Sequence, residues 1–164
     1  MLTDAVLSSV VIRRAVSGDA PGIARVFREA VPVYCRSAGI ELSRISAFSE
    51  SCADIEAAIG RSEVFVAVVG SDVLGTIRVD ESSFPEFYIS RFYVLPSSHG
   101  KGIGSLLLQH ALTHIGVCGG RSVTLHTALS HTFMVHYYRK RGFSLLSVNQ
   151  DSGYSRGLFL FRFS

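Results

Sequence analysis

Short runs dense in β-branched and aromatic residues alternate along this chain with longer stretches whose apolar residues recur at helical spacing. The first kind predicts strands and the second predicts amphipathic helices. Val10 to Ala15 reads as a strand closed by Arg13 and Arg14. Asp19 then caps a helix with Pro21 in its first turn and Ile23, Val26, Phe27 and Ala30 on one face, interrupted or ended at Pro32. Val33 to Glu50 is the least patterned segment. Ser51 caps a short helix through Ile59, closed by Gly60. Glu63–Val69 and Val73–Val79 form a hairpin around Gly70-Ser71-Asp72, with Gly75 marking a bulge or a close backbone approach.

A central strand, Glu86 to Leu95, stops at Pro96, where the ladder donor is lost. The next helix starts at Ile103 or Gly104 and buries Leu107, Leu108, Ala111, Leu112 and Ile115, ending at Gly116 and Gly119-Gly120. Arg121 to Thr127 is a strand. A helix from Ser130 or Thr132 to Lys140 is capped by Gly142. Phe143–Val148 and Leu158–Phe163 are a closing pair of strands. Consecutive hairpins cannot all be parallel, so the prediction is an α/β fold with a mixed central sheet of about six to seven strands flanked by helices.

Composition narrows the class. The 164 residues suit a single domain spanning 1–164, with a core of about 10–164. With 48% apolar and 18% charged residues the chain is globular. A net charge of +3 favours a polyanionic ligand, but no basic run suggests a nucleic-acid groove, and no apolar run is long enough to span a membrane. Met1 to Val11 lacks the basic lead of a secretory signal. Cys35, Cys52 and Cys118 are odd in number and form no CxxC pair, which reads as reduced, buried thiols of an intracellular, cytoplasmic protein. A monomer and a homodimer both remain open, and no metal site is expected.

The candidate chemistry begins between the central strand and the long helix. Gly100, Gly102 and Gly104 alternate around Lys101. The amides of a helix's first turn have no helical partners, and with the positive end of the dipole they attract anions. Alternate glycines clear the approach of a phosphate to that backbone. The stretch therefore predicts a pyrophosphate site. It has neither the Walker spacing nor the third glycine of the dinucleotide fingerprint.

The run His99-Gly100-Lys101-Gly102-Ile103-Gly104 resembles the acetyl-CoA loop of the GNAT N-acetyltransferases, Arg/Gln-x-x-Gly-x-Gly/Ala, with His99 in the Arg/Gln place. A second run, His131 to Phe143, resembles that family's Asn-x-x-Ala-x-x-x-Tyr-x-x-x-Gly-Phe, with Tyr138 in the Tyr place and His131 in the Asn place. The element order is similar over nearly the whole chain. The resemblance implies a single-domain acyl-CoA N-acyltransferase fold in which pantetheine enters between two diverging strands, here Glu86–Leu95 and Arg121–Thr127. Phe92, Tyr93 and Val94 would meet it through their backbone, and His99 to Ser105, with His131 and Tyr138, would complete the cofactor site.

The resemblance further implies that the Tyr138 hydroxyl protonates or stabilises the leaving thiolate. Tyr137, next door, reads as packing. The base is open. Ser90 stands where many members carry a glutamate. His126 stands where a branch acetylating ribosomal-protein amino termini carries one, and a neutral imidazole can serve near pH 7. Glu86, Glu81 or a water path are alternatives. The implied activity is direct transfer of an acetyl group from acetyl-CoA to a primary amine, which is a small molecule, a polyamine or a protein amino group. Tyr34, Arg36, Glu41, Arg44 and Phe48 are candidates to line the acceptor pocket. The alternatives are a non-catalytic acyl-CoA-binding or regulatory module, and a nucleotide-binding protein using the same turn.

Overall fold

The computed structural model describes residues 9–164; of the segment read for a secretory signal, residues 1–8 lie outside the described ones. One sheet runs through the fold: β1 (Val11–Arg14), β2 (Glu63–Val69), β3 (Asp72–Ser83), β4 (Glu86–Val94), β5 (Ser122–Ala128), β6 (Ser144–Asn149) and β7 (Arg156–Arg162). Its spatial order is β1-β2-β3-β4-β5-β7-β6, and every neighbouring pair is antiparallel except β4 with β5. The helices are α1 (Ala20–Ala38), α2 (Cys52–Arg61), α3 (Ile103–Val117) and α4 (Thr132–Lys140).

The two faces of the sheet carry separate cores, divided by the period-2 alternation of the strands. On β2, Val64, Val66 and Val68 point into the layer holding Ile23, Val26 and Phe27 of α1 and Ile55 of α2. Phe65 and Ala67 point the other way, into the layer holding Leu107, Leu108 and Ile115 of α3 and Tyr138 of α4. Phe87, Ile89, Val123, Leu125 and Phe159 belong to this second layer. Their neighbours on the same strands, Tyr88 and His126, therefore face α1.

Several local expectations are corrected. Pro32 does not end the first helix. The apolar face continues through Val31, Cys35 and Ala38, all buried, and that burial outweighs the missing amide donor. The helix stops instead at Gly39, whose left-handed φ of 66° closes it on the Cys35 carbonyl. Asp19 precedes α1, but its carboxylate is taken by the Arg13 guanidinium at 2.7 and 2.9 Å and the Val16 amide rather than by the helix. Ser51 and Asp54 form a reciprocal capping box at α2, while Gly60 lies inside the last turn. All three cysteines are free. Cys35 is buried, but Cys52 and Cys118 are exposed, contrary to the sequence reading. Among the described residues no helix is long and apolar enough to cross a membrane.

The weakly patterned segment after α1 folds into two short 3-10 turns, Leu42–Arg44 and Ser46–Ser49, and is fixed to the sheet by one carboxylate. Glu50 accepts from Arg78 of β3 at 2.8 Å and from Arg91 of β4. The Arg78 side chain is only 8% exposed and that of Glu50 12%. Burial pushes the Glu50 carboxyl up, but the bonds and charges of Arg78 and Arg91 together outweigh it and hold the group below its ordinary range. A group with a depressed folded pKa stabilises above its unfolded value and loses that contribution as pH falls through the folded one. Glu50→Gln is therefore expected to cost about 2–4 kcal/mol near neutral pH, because two guanidiniums lose their counter-charge in a buried setting. Urea unfolding at pH 7 and at successively lower pH below 4.5 checks this; the gap between wild type and variant should close on the acid side.

Candidate active site

The site begins where a ladder stops. β4 and β5 pair in parallel from Glu86↔Ser122 to Ile89↔Leu125 and no further. Past that point β4 stays with β3 alone and bulges: Arg78 faces Ser90, but Thr76 faces Tyr93, leaving two residues of β4 opposite one of β3. Arg91 sits in the bulge at φ 52°, unusual for a side chain other than glycine. β5 continues only with β7. The facing edges of the two strands are thus left open to a cleft of about 810 Å³.

The glycine turn closes one end of that cleft. After a 3-10 turn over Pro96–Ser98, His99 donates from Nε2 to the Val94 carbonyl at 2.8 Å, folding the turn back on the bulged strand. Gly100 and Gly102 have φ of 75° and 82°, and Gly102 caps α3 in the left-handed conformation. The amides that follow have no helical acceptor and open toward the cleft. Ser105 Oγ meets the Tyr137 hydroxyl at 3.0 Å and accepts from Arg141 Nη2 at 2.9 Å. The Arg141 guanidinium lies 3.5 Å from the centre of the Tyr137 ring. Tyr137 is therefore tied to the turn rather than merely packed. Lys101 turns away from the cleft, toward the Ser97 carbonyl at 3.2 Å.

Phe92, Tyr93, Val94, His99 and the turn residues Gly100, Gly102, Ile103, Gly104 and Ser105 all border the same cleft, as do His126, His131 and Tyr138. Tyr138 is buried, its ring edge-on to Phe143 at 5.6 Å and tilted against Phe159 at 6.4 Å. Burial pushes its phenol well above the ordinary range, so it stays protonated near neutral pH. His131 caps α4 by accepting the Met134 amide at 3.3 Å on Nδ1, and its ring stacks on Tyr34 at 4.8 Å. Burial pushes its imidazole down. Tyr34 in turn accepts from the Ala128 amide at 2.9 Å and meets Thr127 Oγ1 at 3.1 Å, holding α1 to the open end of β5.

His126 lies on the α1 side, its Nδ1 2.6 Å from the Tyr88 hydroxyl. Burial and then the Arg156 charge push the imidazole below its ordinary 6.5, so it is neutral at pH 7. Burial raises the Tyr88 phenol. When Nδ1–H donates to the Tyr88 oxygen, Nε2 is left with a free lone pair. Glu86 and Glu81 are not brought to the cleft: Glu86 is at the closed, paired end of β4, and both are exposed. Ser90 borders the cleft. Of the acceptor-wall candidates, Tyr34 and Arg44 border it, whereas Arg36 and Glu41 line a separate groove beside Pro32, and Phe48 is exposed elsewhere.

Comparison with known proteins agrees with this geometry. The profile of the Acetyltransferase (GNAT) family matches residues 32–143. The chain belongs to the GNAT acetyltransferase family. It is 32% identical over 76 residues to a mycothiol acetyltransferase from Propionibacterium freudenreichii subsp. shermanii, a match covering 46% of this chain and 24% of that protein. The chain thus spans about a quarter of the length of that curated relative. Its fold superposes on a PaiA N-acetyltransferase from Thermoplasma acidophilum in complex with coenzyme A with a TM-score of 0.83 at 20% identity, covering 94% of this chain and 99% of the other. An N-acetyltransferase from Staphylococcus aureus superposes with a TM-score of 0.75 at 18% identity, covering 93% and 98%.

The GNAT motifs did not disclose every side chain in the cleft. Tyr88, Tyr154, Arg156 and the Ser105–Tyr137–Arg141 group are additions from the structure. Tyr88 is opposite Thr124 in parallel register, two residues from His126 on the same face, which the sequence reveals only once that register is known. The His126 environment is open to direct observation. In an NMR titration its ring is expected to titrate below 6.5. Arg156→Gln should move the midpoint upward part of the way, because burial, the larger cause, is retained.

Proposed function

We propose that this protein transfers an acetyl group from acetyl-CoA to a primary amine by direct attack. The observation that carries the reading is the parted β4–β5 pair opening beside the glycine turn, with a protonated phenol on one wall and a neutral imidazole on the other. The open strand edges suit an extended chain bearing amides, as pantetheine does, and the left-handed glycines with the α3 amides suit a pyrophosphate. When bound, acetyl-CoA supplies an acetyl group already activated as a thioester.

The chain's own residues supply positioning and proton control. Phe92, Tyr93 and Val94 offer backbone groups along the bulged strand, and the turn from His99 to Ser105 holds the phosphate end through its backbone, the Lys101 side chain pointing away. His126 Nε2 takes the proton that an incoming ammonium must lose before its nitrogen can attack. The amine nitrogen forms the C–N bond as the C–S bond breaks; the Tyr138 hydroxyl donates to the departing sulfur, and the second proton the nitrogen sheds in becoming an amide restores the phenol. Tyr88 holds the His126 ring in the tautomer that leaves Nε2 free. His131 stiffens the wall through its stack with Tyr34. None of the three cysteines is needed as a covalent carrier. The single domain of residues 1–164 is proposed to contain the whole site.

Three measurements test the reading. Acetyl-CoA should raise the melting temperature by mass action, and Gly102→Asp should abolish the shift by setting a carboxylate among the phosphates. A folded variant that shifts as far as the wild type would show that the turn is not the phosphate site. Tyr138→Phe keeps the ring and removes only the donor. Its turnover number should fall on the order of ten- to a thousandfold with acetyl-CoA affinity almost unchanged. His126→Gln should lose more activity than Glu86→Gln, and the wild-type acid limb should fall below pH 6.5, where His126 takes up its proton. Acetyl-CoA binding with no turnover on any amine would instead identify a non-catalytic acyl-CoA-binding module.

A further inference from the structure

The acceptor end of the cleft carries a charge pattern that acetyl transfer does not itself require. Among the described residues no aspartate or glutamate borders the cleft, but three arginines do: Arg44, Arg91 and Arg156. Arg91 is neutralised by Glu50, which stands behind the wall. Arg44 and Arg156 make no ion pair with a carboxylate among the described residues. Arg156 reaches two neutral groups, Ser152 Oγ at 3.4 Å and the Tyr88 hydroxyl, so its charge is left uncompensated.

The two guanidiniums flank one short loop. Arg44, from the segment between α1 and α2, reaches across to residues 150–155, where it lies so close to Gly153 that a Cβ there would stand 2.7 Å from its Nη1. Arg156 follows that loop as the first residue of β7, opposite Ala128, and so shares the face of His126 and Tyr88. Its charge acts on His126, Tyr88 and Tyr154. The cofactor's phosphates do not account for this pair of charges. Their site is at the start of α3, which packs on the opposite face of the sheet.

Two unpaired guanidiniums facing a partly enclosed space repel cations and attract a planar or tetrahedral anion that both can grip. A polyamine or an aminoglycoside, with several ammonium groups, would meet positive charge and no carboxylate. We infer that the acceptor is an amine that also bears an acidic group, a carboxylate or a phosphate, and that Arg44 and Arg156 hold this group while the amine points to His126. This rests on the acetyl-transfer reading of the cleft.

The test uses matched acceptors, with CoA release as the readout. Amino acids are set against their amides and decarboxylated amines, and phosphoethanolamine against ethanolamine, with spermidine and an aminoglycoside alongside. The acidic member is expected to exceed its neutral partner in kcat/KM by roughly ten- to a hundredfold, mostly through KM. The carboxylate and phosphate pairs report which acid is preferred. In Arg44→Gln and Arg156→Gln the ratio should fall toward one. Equal or better turnover of the neutral or polycationic amines, or an unchanged ratio in both variants, overturns the inference while acetyl transfer stands. If no amine is turned over, acetyl transfer fails and binding decides the anion site. With CoA present, N-acetyl amino acids or inorganic phosphate should raise the His126 titration midpoint in wild type and not in Arg156→Gln. Absence of any such anion-dependent shift overturns the inference.

Discussion

Everything at this site follows from a ladder left incomplete. Backbone amides and carbonyls in a sheet are obliged to find partners, and leaving them unmet in a sheltered place costs free energy comparable to a lost hydrogen bond. Between Ile89 and the end of β4 the chain gives up its pairing with β5, and on the other side the Ala128 amide at the end of β5 is met by the Tyr34 hydroxyl. The bulge at Arg91 and Phe92 swings the strand away. His99 then fastens the glycine turn to Val94, so the unpaired edge and the free amides of α3 open into one continuous cleft. A ligand suited to both must be extended and amide-bearing along one part and anionic along the next.

Much of this was legible in the sequence because local chemistry dictates it. The alternation in β2 divides the two cores, the hairpin at Gly70 fixes the first antiparallel pairs, and the glycines about Lys101 mark the turn. The elements that escaped are those decided at long range. Pro32 reads locally as an interruption or an end, yet the buried face at Val31, Cys35 and Ala38 carries α1 through it. The segment after α1 lacks a period because it is held by Glu50 reaching two arginines from other strands, which no spacing encodes.

The cleft shows the same division. Tyr138 and the glycine turn belong to contiguous runs and could be read as such. The Tyr88–His126 pair is made by parallel register between strands separated by a helix, and Arg44 comes near the loop before Arg156 of β7 only in the folded chain. The expected burial failed at Cys52 and Cys118, though not at Cys35, for a related reason. Cys52 and Cys118 stand at helix ends, and exposure there is set by the docking of the helix rather than by residue type.

Arg91 has one more implication. A side chain in left-handed backbone geometry is worth a penalty on the order of 1–3 kcal/mol unless its surroundings hold it there. Here the holding group is Glu50, the last residue before α2's cap, which also grips Arg78 in the middle of the sheet. The width of the gap and the position of the cleft wall at Arg44, Ile45 and Ser46 are therefore not independent quantities. They are two readings of a single anchorage, so a substitution that reshapes the wall through this carboxylate also changes the spacing of the strands behind it.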